Sequence, residues 1–91
     1  MEKILVKEKE KTADARIFGV TIEGNEYIVT VPKEYWQKLT KAREEPESLV
    51  RRSFEFLLER EPKESILREF ELSVIQKYFP EYETIISGGN F

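Results

Sequence analysis

The side chains in this sequence that could do chemistry are mostly carboxylates. Two groups of closely spaced glutamates occur: Glu44, Glu45, Glu47, Glu59, Glu61 and Glu64. Paired carboxylates can act as general acid and base, or can hold a divalent cation. A catalytic carboxylate needs burial or a like-charged neighbour to shift its pKa, whereas these alternate with Lys and Arg at helical spacing. The pattern therefore favours a solvated helix surface, and we predict neither a metal ion nor a cofactor.

The residue types that the sequence lacks exclude several classes of enzyme. The 91 residues contain no His and no Cys, so they cannot supply an imidazole ligand, a thiolate metal site, a Cys nucleophile or a His-based triad. Gly24 lies between two apolar runs, and Gly88 and Gly89 lie together without the spacing of a phosphate-binding loop. We therefore predict a protein that is not an enzyme.

Charge and composition limit the classes of partner. The chain carries 15 Lys and Arg against 18 Asp and Glu, and 40% of its residues are hydrophobic. Nucleic-acid binders usually have a basic face, because neutralising phosphates supplies much of their affinity, so we do not expect nucleic acid as the ligand. Apolar runs fall well short of the ~20 residues that span a membrane, and we expect a cytoplasmic protein. Abundant Glu and Lys with two Gln and two Asn are typical of heat-adapted proteins.

Two β-branched and aromatic runs predict a β-hairpin over residues 16–31 with Gly24 and Asn25 as its two-residue loop. With this loop, three pairs share the face that we assign to the core: Ile22 with Tyr27, Val20 with Val29, and Phe18 with Val31. The opposite face is mixed in polarity, as in a sheet that is covered on one side. Residues 3–8 can add a third strand, so residues 1–31 form the β part of the predicted fold.

The helical part is predicted over residues 33–79. Pro32 suits the start of a first helix at 33–42, and apolar residues at helical spacing predict a second helix at 46–61. Phe56 lies off the apolar stripe of this second helix, so a second surface must cover it. A short third helix and one last turn before Pro80 follow, and residues 80–91 are predicted to be an extended, partly flexible tail. The predicted class is α+β: one small domain in which a two- or three-stranded antiparallel sheet precedes two or three packed helices.

The C-terminal segment is apolar and acidic. Residues 69–91 contain ten large apolar residues, and four Glu against one Lys. Such a segment either folds back onto the helices as core or forms an arm that binds a partner protein, and the same residues serve both roles. For the second interpretation, five residues are predicted to contact the partner: Tyr78, Phe79, Tyr82, Ile85 and Ile86.

The order of elements between residues 27 and 61 resembles a known family. A strand at 27–31, Pro32, a helix at 33–42, a polar turn and a helix that begins Ser48-Leu49-Val50-Arg51 are similar to the ribbon-helix-helix domain of small bacterial antitoxins and repressors. Residues 53–61 together with 78–82 also resemble a recurring group of short prokaryotic proteins to which we attach no activity.

The ribbon-helix-helix resemblance implies that strands of two chains pair into a ribbon, and hence a homodimer. It also implies a C-terminal arm that blocks a toxin, so an antitoxin is the most concrete form of a protein-binding module here. A DNA-binding regulator is the alternative, with contacts from Thr30, Lys33, Arg51 and Arg52. A structural protein is a further alternative.

Overall fold

The computed structural model describes residues 3–88. Its elements, in chain order, are β1 (Ile4–Lys11), β2 (Ala15–Ile22), β3 (Asn25–Pro32), α1 (Lys33–Thr40), α2 (Pro46–Leu58), a 3-10 turn (Lys63–Ser65), β4 (Glu69–Glu71), α3 (Val74–Tyr78) and α4 (Tyr82–Ile86). No helix among these residues combines the length and the apolar character that crossing a membrane requires.

The strands form one sheet in the order β1-β2-β3-β4. Strands β1, β2 and β3 are an antiparallel meander, which agrees with the antiparallel sheet predicted from the sequence. The prediction was incomplete, because β4 adds a fourth strand parallel to β3. The Ile28 amide donates to the Arg68 carbonyl at 2.7 Å, and the Leu72 amide donates to the Thr30 carbonyl at 2.9 Å. A strand of three residues is too short to show the alternation by which strands are recognised in a sequence.

The turn between β2 and β3 differs from the predicted one by one residue. Glu23 and Gly24 form the loop, with φ angles of 47° and 87°, as in the turns that match the twist of a hairpin. The observed pairs are therefore Ile22 with Asn25, Val20 with Tyr27, and Phe18 with Val29. The shift relative to the predicted pairing is two residues, and side chains alternate with a period of two. For this reason the predicted core face is correct although the predicted pairs are wrong.

Helix α2 packs across this core face. The Phe54 ring lies 5.3 Å from the Tyr27 ring and 6.0 Å from the Phe70 ring, measured between centroids. On another side of α2, Phe56 contacts Phe79 at 5.9 Å and Tyr82 at 5.2 Å, both edge to face. The prediction that a second surface covers Phe56 is thus confirmed, and the C-terminal segment provides that surface.

The last part of the chain departs most from the prediction. Where a third helix was expected after Pro62, the chain makes a 3-10 turn and then enters β4. Where an extended tail was expected from residue 80, Tyr82–Ile86 is helical, and residues 89–91 of that tail lie outside the described residues. The Gln76 side chain supports α4, because it donates to the Pro80 carbonyl at 2.7 Å and accepts from the Glu83 amide at 2.8 Å. A helix of five residues held by a distant side chain leaves no periodicity in the sequence.

Candidate protein-binding site

An apolar groove opens between the C-terminal end of α2 and the segment 65–79. It encloses about 210 Å³. All of its lining side chains except Glu61 and Ser65 are apolar, and those that carry the argument below are Leu57, Leu67, Phe70, Ile75, Tyr78 and Phe79. We call this feature the C-terminal groove.

The floor and the rim of the C-terminal groove come from different positions of the chain. Ile66, Phe70 and Ile75 are buried and form the floor. Leu67 and Tyr78 form the rim, with 48% and 65% of their surfaces exposed. Pro62 and the 3-10 turn lead the chain from α2 back to the sheet edge in an extended conformation, so Ile66 and Leu67 differ sharply in exposure. Tyr78 ends α3, where the chain turns towards Pro80. The rim therefore presents two large apolar side chains at the mouth of an apolar groove.

Arg60 contacts both α2 and the chain after Pro80, next to the C-terminal groove. Its guanidinium carbon lies 3.6 Å from the centre of the Phe56 ring, as in a cation–π contact. The same side chain donates to the Phe56 carbonyl at 3.0 Å and to a Glu81 carboxylate oxygen at 3.1 Å. Arg60 therefore links Glu81, which follows Pro80, to Phe56 of α2, the helix that forms one side of the groove.

Charged side chains hold α4 against the rest of the domain. The Arg52 guanidinium donates to both carboxylate oxygens of Glu44, at 2.8 and 2.7 Å, and to the Ile86 carbonyl at 2.8 Å. The hydrogen bonds from Arg52 lower the pKa of the Glu44 carboxyl, more than its partial burial raises it. On the other side of α4, Glu83 accepts a hydrogen bond from the Tyr35 hydroxyl at 2.8 Å and pairs with Lys38 at 3.2 Å.

Tyr82 is the centre of the contact between α4 and α2. Its side chain is fully buried, and its hydroxyl lies 2.6 Å from the Ser53 hydroxyl. Since Ser53 donates its only hydrogen to the Leu49 carbonyl at 2.8 Å, the Tyr82 hydroxyl is the donor between the two. Burial raises the pKa of Tyr82, so the phenol stays neutral and keeps this hydrogen bond.

The five residues predicted to contact a partner fall into two sets. Tyr82 and Ile86 are buried in the core, so neither side chain is accessible to a partner in this conformation. Tyr78 and Phe79 line the C-terminal groove, and Ile85 is exposed on α4. Of the two interpretations left open, residues 72–88 follow the one in which the segment folds back as core. Sequence reasoning missed Leu67 as a contact residue, because it directly follows Ile66 and no local pattern shows which of the two is buried.

The four residues of the DNA-binding alternative are distributed over three elements, β3, α1 and α2. Thr30 lies in β3 on the face of the sheet opposite to α2. Lys33 is exposed at the start of α1. Arg51 donates to the Ile4 carbonyl, and Arg52 is engaged with Glu44 and Ile86. Two of the four side chains that would contact DNA are thus already used inside the chain.

The two glutamate groups are spread over several contacts. Glu44 binds Arg52, Glu59 approaches Arg60 at 3.4 Å, and Glu64 approaches Lys63 at 3.4 Å. Glu61 lines the C-terminal groove. Within residues 3–88, no three His, Cys, Asp or Glu side chains are grouped so that they could hold a metal ion. The arrangement supports ion pairing on the surface of the domain.

Comparison of the chain with protein-family models, with curated proteins and with solved structures gives no match. The class of the protein therefore rests on its own geometry. It is a small α+β domain with a four-stranded mixed sheet and an apolar groove at its C-terminal side.

Proposed function

We propose that this protein is a non-catalytic interaction module that binds a partner protein in the C-terminal groove. The observation that carries the proposal is the exposure of Leu67 and Tyr78 at the mouth of an apolar groove of about 210 Å³. Burial of apolar surface drives most protein association, and aromatic side chains in such pockets carry much of the binding energy. Tyr78 and Phe79 belong to the five residues that the sequence predicts as contacts if the C-terminal segment binds a partner.

The charges around the groove favour a particular kind of partner. Glu61 is the charged side chain that lines the C-terminal groove, and no Lys or Arg of residues 3–88 lines it. Arg60 and Lys63 are paired with carboxylates of this chain, and Arg68 donates to the Glu26 carbonyl. The carboxylate of Glu61 therefore borders the apolar groove, and complementary charge on a partner guides association and selects among partners. We infer that the groove accepts an apolar segment of a partner protein that is flanked by Lys or Arg.

The ribbon-helix-helix resemblance predicts that such a partner is a toxin, and this identity stays a prediction. The strand that the resemblance would place in an intermolecular ribbon is β3, which is hydrogen-bonded to β2 on one edge and to β4 on the other. A ribbon formed by β3 would need a free edge. The antitoxin form of the proposal accordingly depends on the groove and not on a ribbon, and the DNA-binding alternative has less support because Arg51 and Arg52 are engaged within the chain.

A double substitution at the rim tests the proposal. In the Leu67→Ser, Tyr78→Ser variant both changes lie at exposed positions, so the domain is expected to fold with nearly unchanged stability. Tagged wild type and variant are used to capture proteins from the lysate of the source cells, and quantitative mass spectrometry compares the captured proteins. We expect a protein that wild type retains to be depleted at least tenfold by the variant, since rim residues of this type each contribute on the order of 1–2 kcal/mol.

Ile85→Ser is the matched control, because Ile85 is exposed to a similar degree, 46%, but lies on α4. The control is expected to retain the partner. If Ile85→Ser loses the partner and the rim variant keeps it, the contact lies on α4 and the groove proposal is wrong. Capture of the same proteins by all three chains would also contradict the proposal.

A further inference from the structure

A second cavity opens where the turn between β1 and β2 meets the start of α1. It encloses about 440 Å³, which lies within the range of small-molecule sites, roughly 300–1,000 Å³. It shares no lining residue with the C-terminal groove. Three of its lining side chains are cationic, namely Lys11, Arg16 and Lys33, and we call this feature the basic cavity.

A β-bulge brings Lys11 into the basic cavity. The pairing of β1 with β2 skips one residue between Glu8 and Glu10, so that Lys11 pairs with Arg16. Without the extra residue, Lys11 would lie on the face of the sheet away from α2, because side chains alternate along a strand. Arg16 pairs in turn with Val31, a buried core residue of β3. The three side chains therefore form one row on the face that the helices cover, and bulges commonly re-aim a side chain in this way beside functional sites.

The turn between β1 and β2 is hydrogen-bonded internally and to α1. The Thr12 hydroxyl accepts from the Ala15 amide at 3.0 Å, and the Asp14 carbonyl accepts from the Lys33 amide at 2.7 Å. Lys33 and Trp36 are three residues apart in α1, so their side chains lie on the same face of the helix. The rim of the basic cavity is thus fixed before a ligand binds, which lowers the entropic cost of binding.

Trp36 is the largest apolar side chain that lines the basic cavity. Its indole N–H donates to the Glu44 carbonyl at 2.7 Å, so the ring is held in place and its polar atom is already used. Val31 and Pro46, both buried, line the cavity with it. The cavity therefore offers an aromatic, apolar surface, against which the planar ring of a ligand can stack.

The cations of the basic cavity are only partly compensated within the chain. The Glu8 carboxylate lies 3.6 Å from Nε of Arg16, which is longer than a hydrogen bond. Lys11 and Lys33 form no ion pair with any residue in the range 3–88. Within the same range, no Asp or Glu lines the cavity. The cavity thus gathers positive charge in a chain whose net charge is −3.

Carboxylates that neighbour the lining residues in sequence are exposed to water. None of these side chains lines the cavity: Glu10, Asp14, Glu34, Glu45 and Glu47. Attraction between exposed charges is weak in water and is screened further by salt. The charged side chains that a ligand in the cavity would contact are therefore of one sign.

We propose that the basic cavity binds a small molecule in which a planar aromatic ring is joined to a phosphate group. The phosphate lies among Lys11, Arg16 and Lys33, and the ring lies against Trp36. A phosphate monoester has three terminal oxygens and nearly two negative charges at neutral pH, so one group can contact all three cations. A carboxylate has two oxygens and one charge. The planar guanidinium of Arg16 also matches the geometry of phosphate oxygens.

The tryptophan of the cavity reports on binding. Trp36 is the only Trp in the sequence, so its indole N–H gives a single signal in a nitrogen–proton correlation spectrum of the full chain. Naphthyl phosphate is the probe, and we expect it to shift this signal with a dissociation constant on the order of 0.1–1 mM at low salt. Inorganic phosphate lacks the ring, naphthol lacks the charge, and naphthoate carries one charge in place of two. Each of the three is expected to bind at least tenfold more weakly than naphthyl phosphate.

A double substitution tests the cations. Lys11→Gln, Lys33→Gln removes two of the three and leaves Arg16 in place, and we expect it to weaken binding of naphthyl phosphate at least tenfold. Lys7→Gln, Lys77→Gln is the matched control, because it removes the same charge at two exposed positions that do not line the cavity. The control is expected to bind as wild type does. All four lysines are exposed, so thermal unfolding of both variants is expected to match that of wild type.

Several results would overturn the proposal. One is the absence of a shift in the Trp36 signal with naphthyl phosphate up to about 10 mM. Binding of naphthol or naphthoate as tight as that of naphthyl phosphate would show that the cavity does not select a phosphate, and equal binding of inorganic phosphate would show that it does not select a ring. Equal weakening in the two lysine variants would make the affinity a general effect of charge.

AMP and a phosphotyrosine peptide represent two sources of the same chemistry, a free nucleotide and a modified protein. We expect AMP to bind more tightly, and tighter binding of the peptide would overturn the assignment to a small molecule.

Discussion

Helix α4 and the segment 66–79 that precedes it have similar apolar composition but different relations to the core. Helix α4 buries Tyr82 and Ile86 and is held at both sides by charged hydrogen bonds, from Arg52 to the Ile86 carbonyl and from Tyr35 to Glu83. The segment 66–79 buries its inner side chains but leaves Leu67 and Tyr78 at the surface. Its neighbours at the groove are mostly apolar.

The difference shows that one apolar, acidic segment can contain residues that form the core and residues that stay accessible for binding. Directional hydrogen bonds fix the position of α4, so its apolar residues are committed to the core. The rim residues of the C-terminal groove have no such constraint and remain accessible. The acidic residues of this region could indicate a solvated arm. In α4, however, Glu83 has a structural role, because it accepts a hydrogen bond from Tyr35 and pairs with Lys38.

The two tyrosines of this region provide the largest expected contrast. Tyr82→Ala removes a fully buried ring that contacts Phe56 and donates to Ser53. We expect a loss of about 3–5 kcal/mol in the free energy of unfolding, since this is the typical cost of deleting a buried aromatic side chain. Chemical denaturation followed by far-ultraviolet circular dichroism measures it.

Tyr78→Ala is the matched substitution in the preceding segment. Because Tyr78 is largely exposed, its removal is expected to change the free energy of unfolding by about 0.5 kcal/mol or less. Equal losses from the two substitutions would mean that α4 and the groove rim belong to the structure in the same way. The comparison drawn between them would then fail.

Loss of Arg52 is expected to have an intermediate effect. Arg52→Ala removes the hydrogen bonds to Glu44 and to the Ile86 carbonyl, and so frees the C-terminal end of α4. The Arg52 side chain is 38% exposed and water replaces part of what is lost, so we expect a loss of about 1 kcal/mol. Hydrogen exchange is expected to increase most in the amides of α4, whereas β2 and β3 keep their protection.

Arg43→Ala is the control for Arg52→Ala, because Arg43 is exposed in the same part of the chain. Its substitution is expected to leave stability and exchange unchanged. Faster exchange spread evenly over the sheet in Arg52→Ala would indicate that Arg52 stabilises the whole domain and does not hold α4 in particular.

The features that the sequence predicted correctly are those with a long, regular signal. The alternation in residues 16–31 identified the core face of the hairpin, and a two-residue error in pairing left that face unchanged because side chains alternate with period two. The apolar spacing of α2 was also long enough to detect, and Phe56, which breaks that spacing, correctly indicated a second packed surface.

The features that were missed depend on contacts between distant residues. Strand β4 has three residues and exists because Arg68 and Leu72 hydrogen-bond to β3. Helix α4 has five residues and is supported by Gln76 and Arg52. For the candidate site, Tyr78 and Phe79 followed from their composition, whereas Leu67 required the geometry of the groove. No local pattern separates Tyr78 from Tyr82, because Tyr82 is buried by its contacts with Phe56 and Ser53 of α2, which are distant in sequence.

The smallest expected effect is the pH dependence contributed by Glu44. The pKa of Glu44 is lowered from 4.5 in the folded chain, chiefly by the hydrogen bonds from Arg52. A group whose pKa is lowered by folding adds stability above its unfolded pKa, and this contribution is lost as the pH falls through the folded pKa. Glu44→Gln is therefore expected to be less stable than wild type at pH 7, by less than about 1 kcal/mol, and the difference is expected to shrink below about pH 4.5.

The quantity to compare is the difference in free energy of unfolding between wild type and Glu44→Gln. The pKa values of Glu64 and Glu81 are also lowered, but both carboxyls are present in wild type and in the variant. Their contribution to acid unfolding cancels when Glu44→Gln is subtracted from wild type in urea titrations between pH 3 and pH 7. Glu55→Gln, at an exposed position on α2, controls for the loss of one charge. If the difference in free energy of unfolding between wild type and Glu44→Gln is the same at every pH in this range, the charge of Glu44 does not contribute to its interaction with Arg52. The position of α4 would then depend on the hydrogen bond from Arg52 to the Ile86 carbonyl, and not on the ion pair between Arg52 and Glu44.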